Sequence, residues 1–151
     1  CATYEPVLQA ITSEFAQHIN FAYRHFPLRS IHDKADLTAQ VSEAAGLQGK
    51  FWEMHDLIFA NQKSWEFVTP SEAKTAFIEA AGVLGLDVAK FTQDLDSKEV
   101  KDKVDTAYKH AEAVGLGGTP TIFLNGELLQ KPANLETFRQ LIRQKIEETQ
   151  N

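Results

Sequence analysis

Two short segments carry the residues of this chain that are best suited to chemistry. The first is Cys1, the only cysteine among 151 residues, which precedes or begins a predicted helix with Pro6 in its first turn. A thiol near a helix N-terminus is biased toward the thiolate, the form that acts as a nucleophile. A frayed terminal residue with an ordinary thiol is the alternative interpretation of the same position.

The second segment covers residues 117–126, which read GGTPTIFLNG. Pro120 lacks an N–H, so it is expected to open a strand, and Asn125-Gly126 predicts a tight hairpin turn. An X–Pro bond adopts the cis form at low cost, and a cis Thr119–Pro120 bond would leave the Thr119 main chain free to pair with an extended peptide. A trans proline at the start of a strand is the commoner arrangement, so the local sequence does not decide between the cis and the trans form of this bond.

The elements that must position these segments follow from the spacing of apolar residues. Strands are expected at residues 19–26, 121–124 and 127–130, because β-branched and aromatic residues are concentrated there. Helical spacing predicts a helical block from about residue 34 to residue 114, in which Thr69 is the expected N-cap of one helix. Two further helices are predicted at residues 2–17 and 135–149, the second with Asn134 as its N-cap.

Composition excludes several classes of function. The net charge of −6 and the lack of a basic cluster predict no nucleic-acid or anionic-lipid partner. No apolar run is long enough to span a membrane. The five histidines are scattered without metal-ligand spacing, and the single cysteine has no partner for an intramolecular disulfide, so no metal site is expected.

Four segments, taken in order, resemble one known family. They read YRHFPL at 23–28, AAGLQGKFWEMH at 44–55, LGLD at 84–87 and GLGGTPTIFLNG at 115–126. With the order helix, strand, helical insertion, Thr-Pro, hairpin and helix, the chain resembles the DsbA-like thiol-disulfide oxidoreductases. The resemblance implies an α/β fold of thioredoxin type, with a thioredoxin-like domain at residues 1–33 and 115–151 and an inserted helical domain at residues 34–114.

The resemblance also implies roles for individual residues. The family's active site is Cys-Pro-x-Cys, and the segment after its second cysteine resembles residues 2–8 here, so Cys1 corresponds to the second, resolving cysteine. The nucleophilic cysteine would lie three positions before Cys1, outside this sequence. Thr119 and Pro120 would face the cysteine pair and hold the substrate chain. The implied chemistry needs no metal, nucleotide or flavin cofactor. The sequence does not decide whether the protein would oxidise, reduce or isomerise its substrates.

A thioredoxin-type sheet raises a further expectation. The strand before the active-site helix is central in that fold, and it lies between the strands expected at residues 19–26 and 121–124. Without it, both neighbours would lose ladder hydrogen bonds, at about 1–3 kcal/mol for each buried unpaired group. The first central strand is therefore expected to be missing from the given chain and to be supplied by an upstream segment or another chain.

Two other functions are consistent with the same residues. One is a non-catalytic thioredoxin-like module that binds peptides, and the other is a glutathione-dependent transferase or isomerase of the kappa type. The residue three positions before Cys1 would discriminate among the three. The resemblance implies cysteine-containing protein substrates, a redox partner protein that reoxidises or reduces the cysteine pair, and a bacterial periplasm or cell-envelope location.

Overall fold

The structure, a computed structural model, describes residues 1–150. It contains eight helices and two strands within those residues. In chain order these are α1 Glu5–Glu14, α2 Ala35–Gly46, α3 Phe51–Ala60, α4 Gln62–Trp65, α5 Pro70–Val83, α6 Val88–Leu95, α7 Lys98–Ala113, β1 Ile122–Leu124, β2 Glu127–Leu129 and α8 Leu135–Gln150. Within the same residues, no helix combines the length and apolar character needed to cross a membrane.

The described residues fall into two compact units. One unit contains residues 1–23 and 118–150, and the other contains Arg24–Gly117. The first holds α1, the hairpin of β1 and β2, and α8, whereas the second holds the helices α2 to α7. Each unit has an apolar core of its own.

The first unit is built on the packing of α1 against α8. Ile11 of α1 and Phe15, which directly follows α1, are buried together with Phe138 and Ile142 of α8. Glu14 accepts hydrogen bonds from Arg139 and Arg143 at 2.5 and 3.1 Å, which link the two helices at the surface. The predicted N-cap of α8 is also confirmed, since the Thr137 N–H donates to Asn134 Oδ1 at 2.9 Å.

The hairpin forms where Asn125-Gly126 predicts it. Strands β1 and β2 are antiparallel, and Phe123 lies opposite Leu128. Asn125 and Gly126 have φ values of 51° and 84°, as the two central residues of a type I′ turn require. Because side chains alternate along a strand, Ile122 and Leu124 pack on the α1–α8 core while Phe123 is exposed.

The structure corrects two of the predicted elements. Residues 19–26 are not a strand, since no described residue pairs with them in a ladder and the sheet of the described residues contains only β1 and β2. A pattern of β-formers favours an extended chain, but a strand also needs a hydrogen-bonded neighbour. The first helix begins at Glu5 rather than Ala2, because Pro6 has no N–H with which to bond the carbonyl of Ala2.

The second unit encloses a core to which α2, α3, α5, α6 and α7 all contribute. Phe91, Met54 and Leu95 are among its fully buried side chains. Thr69 caps α5 through a reciprocal pair of hydrogen bonds with Glu72, as the sequence predicts. A carboxylate is also buried in this unit: Glu43 accepts from His25 Nε2 at 3.0 Å and pairs with Lys103 at 2.5 Å.

Candidate active site

Cys1 lies one turn before α1 and is held there by its main chain. The Cys1 carbonyl accepts hydrogen bonds from the N–H groups of Tyr4 and Glu5, at 2.7 and 3.1 Å. Its thiol is exposed and forms no disulfide. The turn therefore fixes the position of the Cys1 main chain at the start of α1 while leaving the sulfur open to another molecule.

Thr119 provides the side chain that contacts this sulfur. Cys1 Sγ donates a hydrogen bond to Thr119 Oγ1 across 3.1 Å, although the two residues are 118 positions apart in the sequence. The Thr119–Pro120 peptide bond is cis. The three residues selected from the sequence, Cys1, Thr119 and Pro120, are thus brought to one place in the first unit.

The main chain around Thr119 is fixed on one side and open on the other. Thr121 Oγ1 donates to the Gly118 carbonyl at 2.6 Å, which closes the loop before β1. Within residues 1–150, neither the N–H nor the carbonyl of Thr119 has a hydrogen-bond partner. Both groups are strong hydrogen-bonding groups, so solvent or a ligand has to supply their partners.

Tyr4 supports the turn that carries Cys1. Its hydroxyl donates to the Pro132 carbonyl at 3.1 Å, which connects the turn to the segment before α8. Burial raises the pKa of this hydroxyl, so it stays protonated as a donor at neutral pH. The Lys131 ammonium lies 5.5 Å from the centre of the Tyr4 ring, a cation–π contact at the edge of the site.

The arrangement can present a nucleophilic thiolate to an extended chain. A thiolate at Cys1 would accept a hydrogen bond from the Thr119 hydroxyl, and hydrogen bonding to the charged form favours ionisation. Among the described residues, Cys1 belongs to no group of three side chains placed to hold a metal ion. Tyr4 was not selected from the sequence, because its hydrogen-bond partner Pro132 is distant along the chain and leaves no local pattern.

Sequence comparison assigns nearly the whole chain to one family. A sequence profile of the family described as Thioredoxin matches residues 1–144. Na(+)/H(+) antiporter NhaA 3 of Salinispora tropica is 31% identical over 138 residues, which are 91% of this chain and 20% of that protein. Na(+)/H(+) antiporter NhaA 1 of Mycolicibacterium vanbaalenii is 34% identical over 128 residues, covering 83% of this chain and 20% of that protein. The chain thus spans about a fifth of the length of these relatives.

Structure comparison agrees on the fold. The crystal structure of a thioredoxin-like oxidoreductase from Silicibacter pomeroyi superimposes with a TM-score of 0.70 at 18% sequence identity, and the match covers 96% of this chain and 80% of that one. The fold is thioredoxin-like α/β, mostly helical with a small sheet and a helical insertion, as the sequence predicts. The chain belongs to the thioredoxin family.

Proposed function

We propose that this chain functions as a thiol-disulfide oxidoreductase of DsbA-like type. The observation that carries the proposal is the contact of Cys1 Sγ with Thr119 Oγ1 at 3.1 Å, beside a main chain that is open to a ligand. An exposed thiol, a hydroxyl that stabilises its thiolate and a pair of free backbone groups form a suitable set for exchange with a cysteine-bearing peptide.

The proposed reaction is a pair of thiol-disulfide exchanges. A nucleophilic cysteine three positions before Cys1 is joined to the substrate sulfur as a mixed disulfide. The Cys1 thiolate attacks the sulfur of that nucleophilic cysteine, a bond forms between the two active-site sulfurs, and the substrate sulfur leaves as a thiolate. This direction reduces the substrate and oxidises the cysteine pair, and the reverse sequence transfers the disulfide to the substrate.

Thr119 has two roles in this scheme. Its hydroxyl donates to the Cys1 thiolate, and its N–H and carbonyl pair with the substrate chain as a neighbouring strand would. Pro120 has no N–H and precedes β1 by two positions, so substrate pairing at this edge is centred on Thr119. The substrates are proteins with an accessible cysteine in an extended segment, and a second redox protein restores the cysteine pair.

The proposed setting is the bacterial periplasm or cell envelope, where protein disulfides persist. Relatives with a matching region are bacterial proteins named as Na(+)/H(+) antiporters, and these names are consistent with a cell-envelope setting. A soluble periplasmic protein and a domain of a larger envelope protein are both compatible with the exchange reaction.

Replacing Thr119 by valine tests the role of the hydroxyl. Valine keeps the shape and removes the hydrogen bond, so the Cys1 thiolate is less stable and its alkylation by iodoacetamide at neutral pH should slow by about fivefold. The alkylation rate is measured from pH 5 to pH 10, and the curve for T119V should move to higher pH.

Two variants control this experiment. T119S keeps the hydroxyl and should restore most of the wild-type rate. T92V removes a threonine hydroxyl that donates to Val88 O at 2.7 Å within α6, and should leave the rate unchanged. Equal alkylation curves for wild type and T119V would contradict the proposed role of Thr119.

A further inference from the structure

Lys131 differs from the other lysine and arginine side chains of the first unit in having no carboxylate partner. Arg139 and Arg143 both pair with Glu14. Lys145 pairs with a glutamate of its own helix at 2.8 Å. Within the described part of the chain, the exposed ammonium of Lys131 forms no ion pair. Its positive charge is therefore not balanced by a neighbouring group of the first unit.

This charge is held beside the turn that carries the thiol. The Lys131 ammonium lies 5.5 Å from the centre of the Tyr4 ring. The next residue, Pro132, accepts a hydrogen bond from the Tyr4 hydroxyl at 3.1 Å, and the Tyr4 N–H donates to the Cys1 carbonyl at 2.7 Å. Because an aromatic face attracts a cation, the Tyr4 ring favours positions of the ammonium next to this turn. A substrate that approaches the exposed thiol meets a positive charge at the edge of the site.

We propose that Lys131 is a specificity-determining residue, which favours substrates with an acidic side chain next to the reactive cysteine. This inference rests on the proposed function and names the class of its substrates. A carboxylate of the substrate would supply the partner that Lys131 lacks within the described residues. A basic side chain at the same place in the substrate would be repelled, so the charge selects between substrates as well as attracting one class.

The step to be measured uses only the thiol of this chain. The Cys1 thiolate attacks the peptide sulfur of a disulfide between a peptide cysteine and pyridine-2-thiol, and a mixed disulfide forms between Cys1 and the peptide. Pyridine-2-thiolate leaves with the electron pair of the broken S–S bond, takes a proton from water and is followed by the absorbance of the uncharged thione. Three peptides of equal length carry glutamate, glutamine or lysine next to the cysteine.

The test compares wild type with K131Q on these three peptides. The rate with the glutamate peptide, divided by the rate with the glutamine peptide, should be about threefold higher for wild type than for K131Q, as expected for an exposed ion pair. The corresponding ratio for the lysine peptide should be lower for wild type, because K131Q removes a repulsion. K131R keeps the charge and should keep the wild-type ratios. Raising the ionic strength from about 0.01 M to about 1 M should remove most of the difference, because salt screens exposed charges.

The matched control is K145Q, which removes a lysine of the same unit that already has a carboxylate partner and should leave both ratios unchanged. Equal ratios for wild type and K131Q would overturn the role of Lys131. A loss of rate in K131Q that is the same for all three peptides would also overturn it, since Lys131 would then act only through Tyr4. The alkylation comparison of wild type with T119V needs no peptide and no charge at position 131, so it shows separately whether the proposed function fails.

Discussion

Replacing Phe91 by alanine is expected to destabilise the helical unit Arg24–Gly117 by about 3–5 kcal/mol. Phe91 is 0% exposed and lies in the core with Val41, Phe77 and Leu95. Removing its ring takes away a large buried apolar surface and leaves a cavity that rigid helices fill only in part. Since whole domains are stable by about 5–15 kcal/mol, the loss is a large fraction of the total.

Urea unfolding followed by circular dichroism measures this loss, and Phe67 provides the matched control. Phe67 is 86% exposed, so F67A should change the free energy of unfolding by less than about 0.5 kcal/mol. If F91A and F67A had similar midpoints in urea, the assignment of Phe91 to the core would be wrong.

Replacing Glu43 by glutamine is expected to cost about 2 kcal/mol of unfolding free energy. Glu43 is buried in α2, and its carboxylate oxygens contact His25 and Lys103 separately. Glutamine offers one oxygen and one NH₂ group, so it cannot accept from both partners. The matched control is E53Q, because Glu53 is exposed and pairs with Lys50 at the surface, where such pairs contribute little.

The same carboxylate predicts how stability depends on pH. Burial alone would raise the pKa of Glu43, but the hydrogen bonds and charges of His25 and Lys103 outweigh burial and lower it. Because the pKa is lower in the folded state, the stabilisation is present above the ordinary glutamate value and is lost as pH falls through the folded value. The stability difference between wild type and E43Q should therefore shrink below about pH 4 in urea titrations. A difference that stayed constant down to pH 2 would contradict the ionic role of Glu43.

Elements with strong local signals were predictable from the sequence. Thr69 and Asn134 cap helices because their side chains accept from a backbone N–H three residues on, which is a purely local event. The Asn125-Gly126 turn is equally local, since both residues tolerate positive φ. The helical insertion followed from apolar spacing repeated over several turns.

The absence of a strand at residues 19–26 could not be predicted from local residue types. Side chains decide whether a segment favours an extended chain, but a strand exists only when another backbone pairs with it. No described residue provides that pairing. The prediction of a strand at residues 19–26 was wrong, because the residue types do not show whether a neighbouring backbone pairs with the segment.

The candidate site was predictable only in part, because some of its contacts join residues that are distant along the chain. Cys1, Thr119 and Pro120 have distinctive chemistry or conformation, so each was selected from its type and local sequence. The support that Tyr4 gives to the Cys1 turn was not, because its partner Pro132 is 128 positions away along the chain. Glu43 had a weak signal, being a charged residue between the apolar Val41 and Ala44 of one helix.

In the proposed function, the fold of the first unit activates the Cys1 thiol through its contact with Thr119. The measurement is the second-order rate constant of Cys1 with a disulfide between a peptide cysteine and 5-thio-2-nitrobenzoate, compared with that of the free peptide CATYEP, which has the same first six residues and no fold. The folded chain should react at least about tenfold faster than CATYEP does, because its thiol is more often a thiolate at neutral pH. Equal rate constants for the folded chain and CATYEP would show that the fold does not activate Cys1.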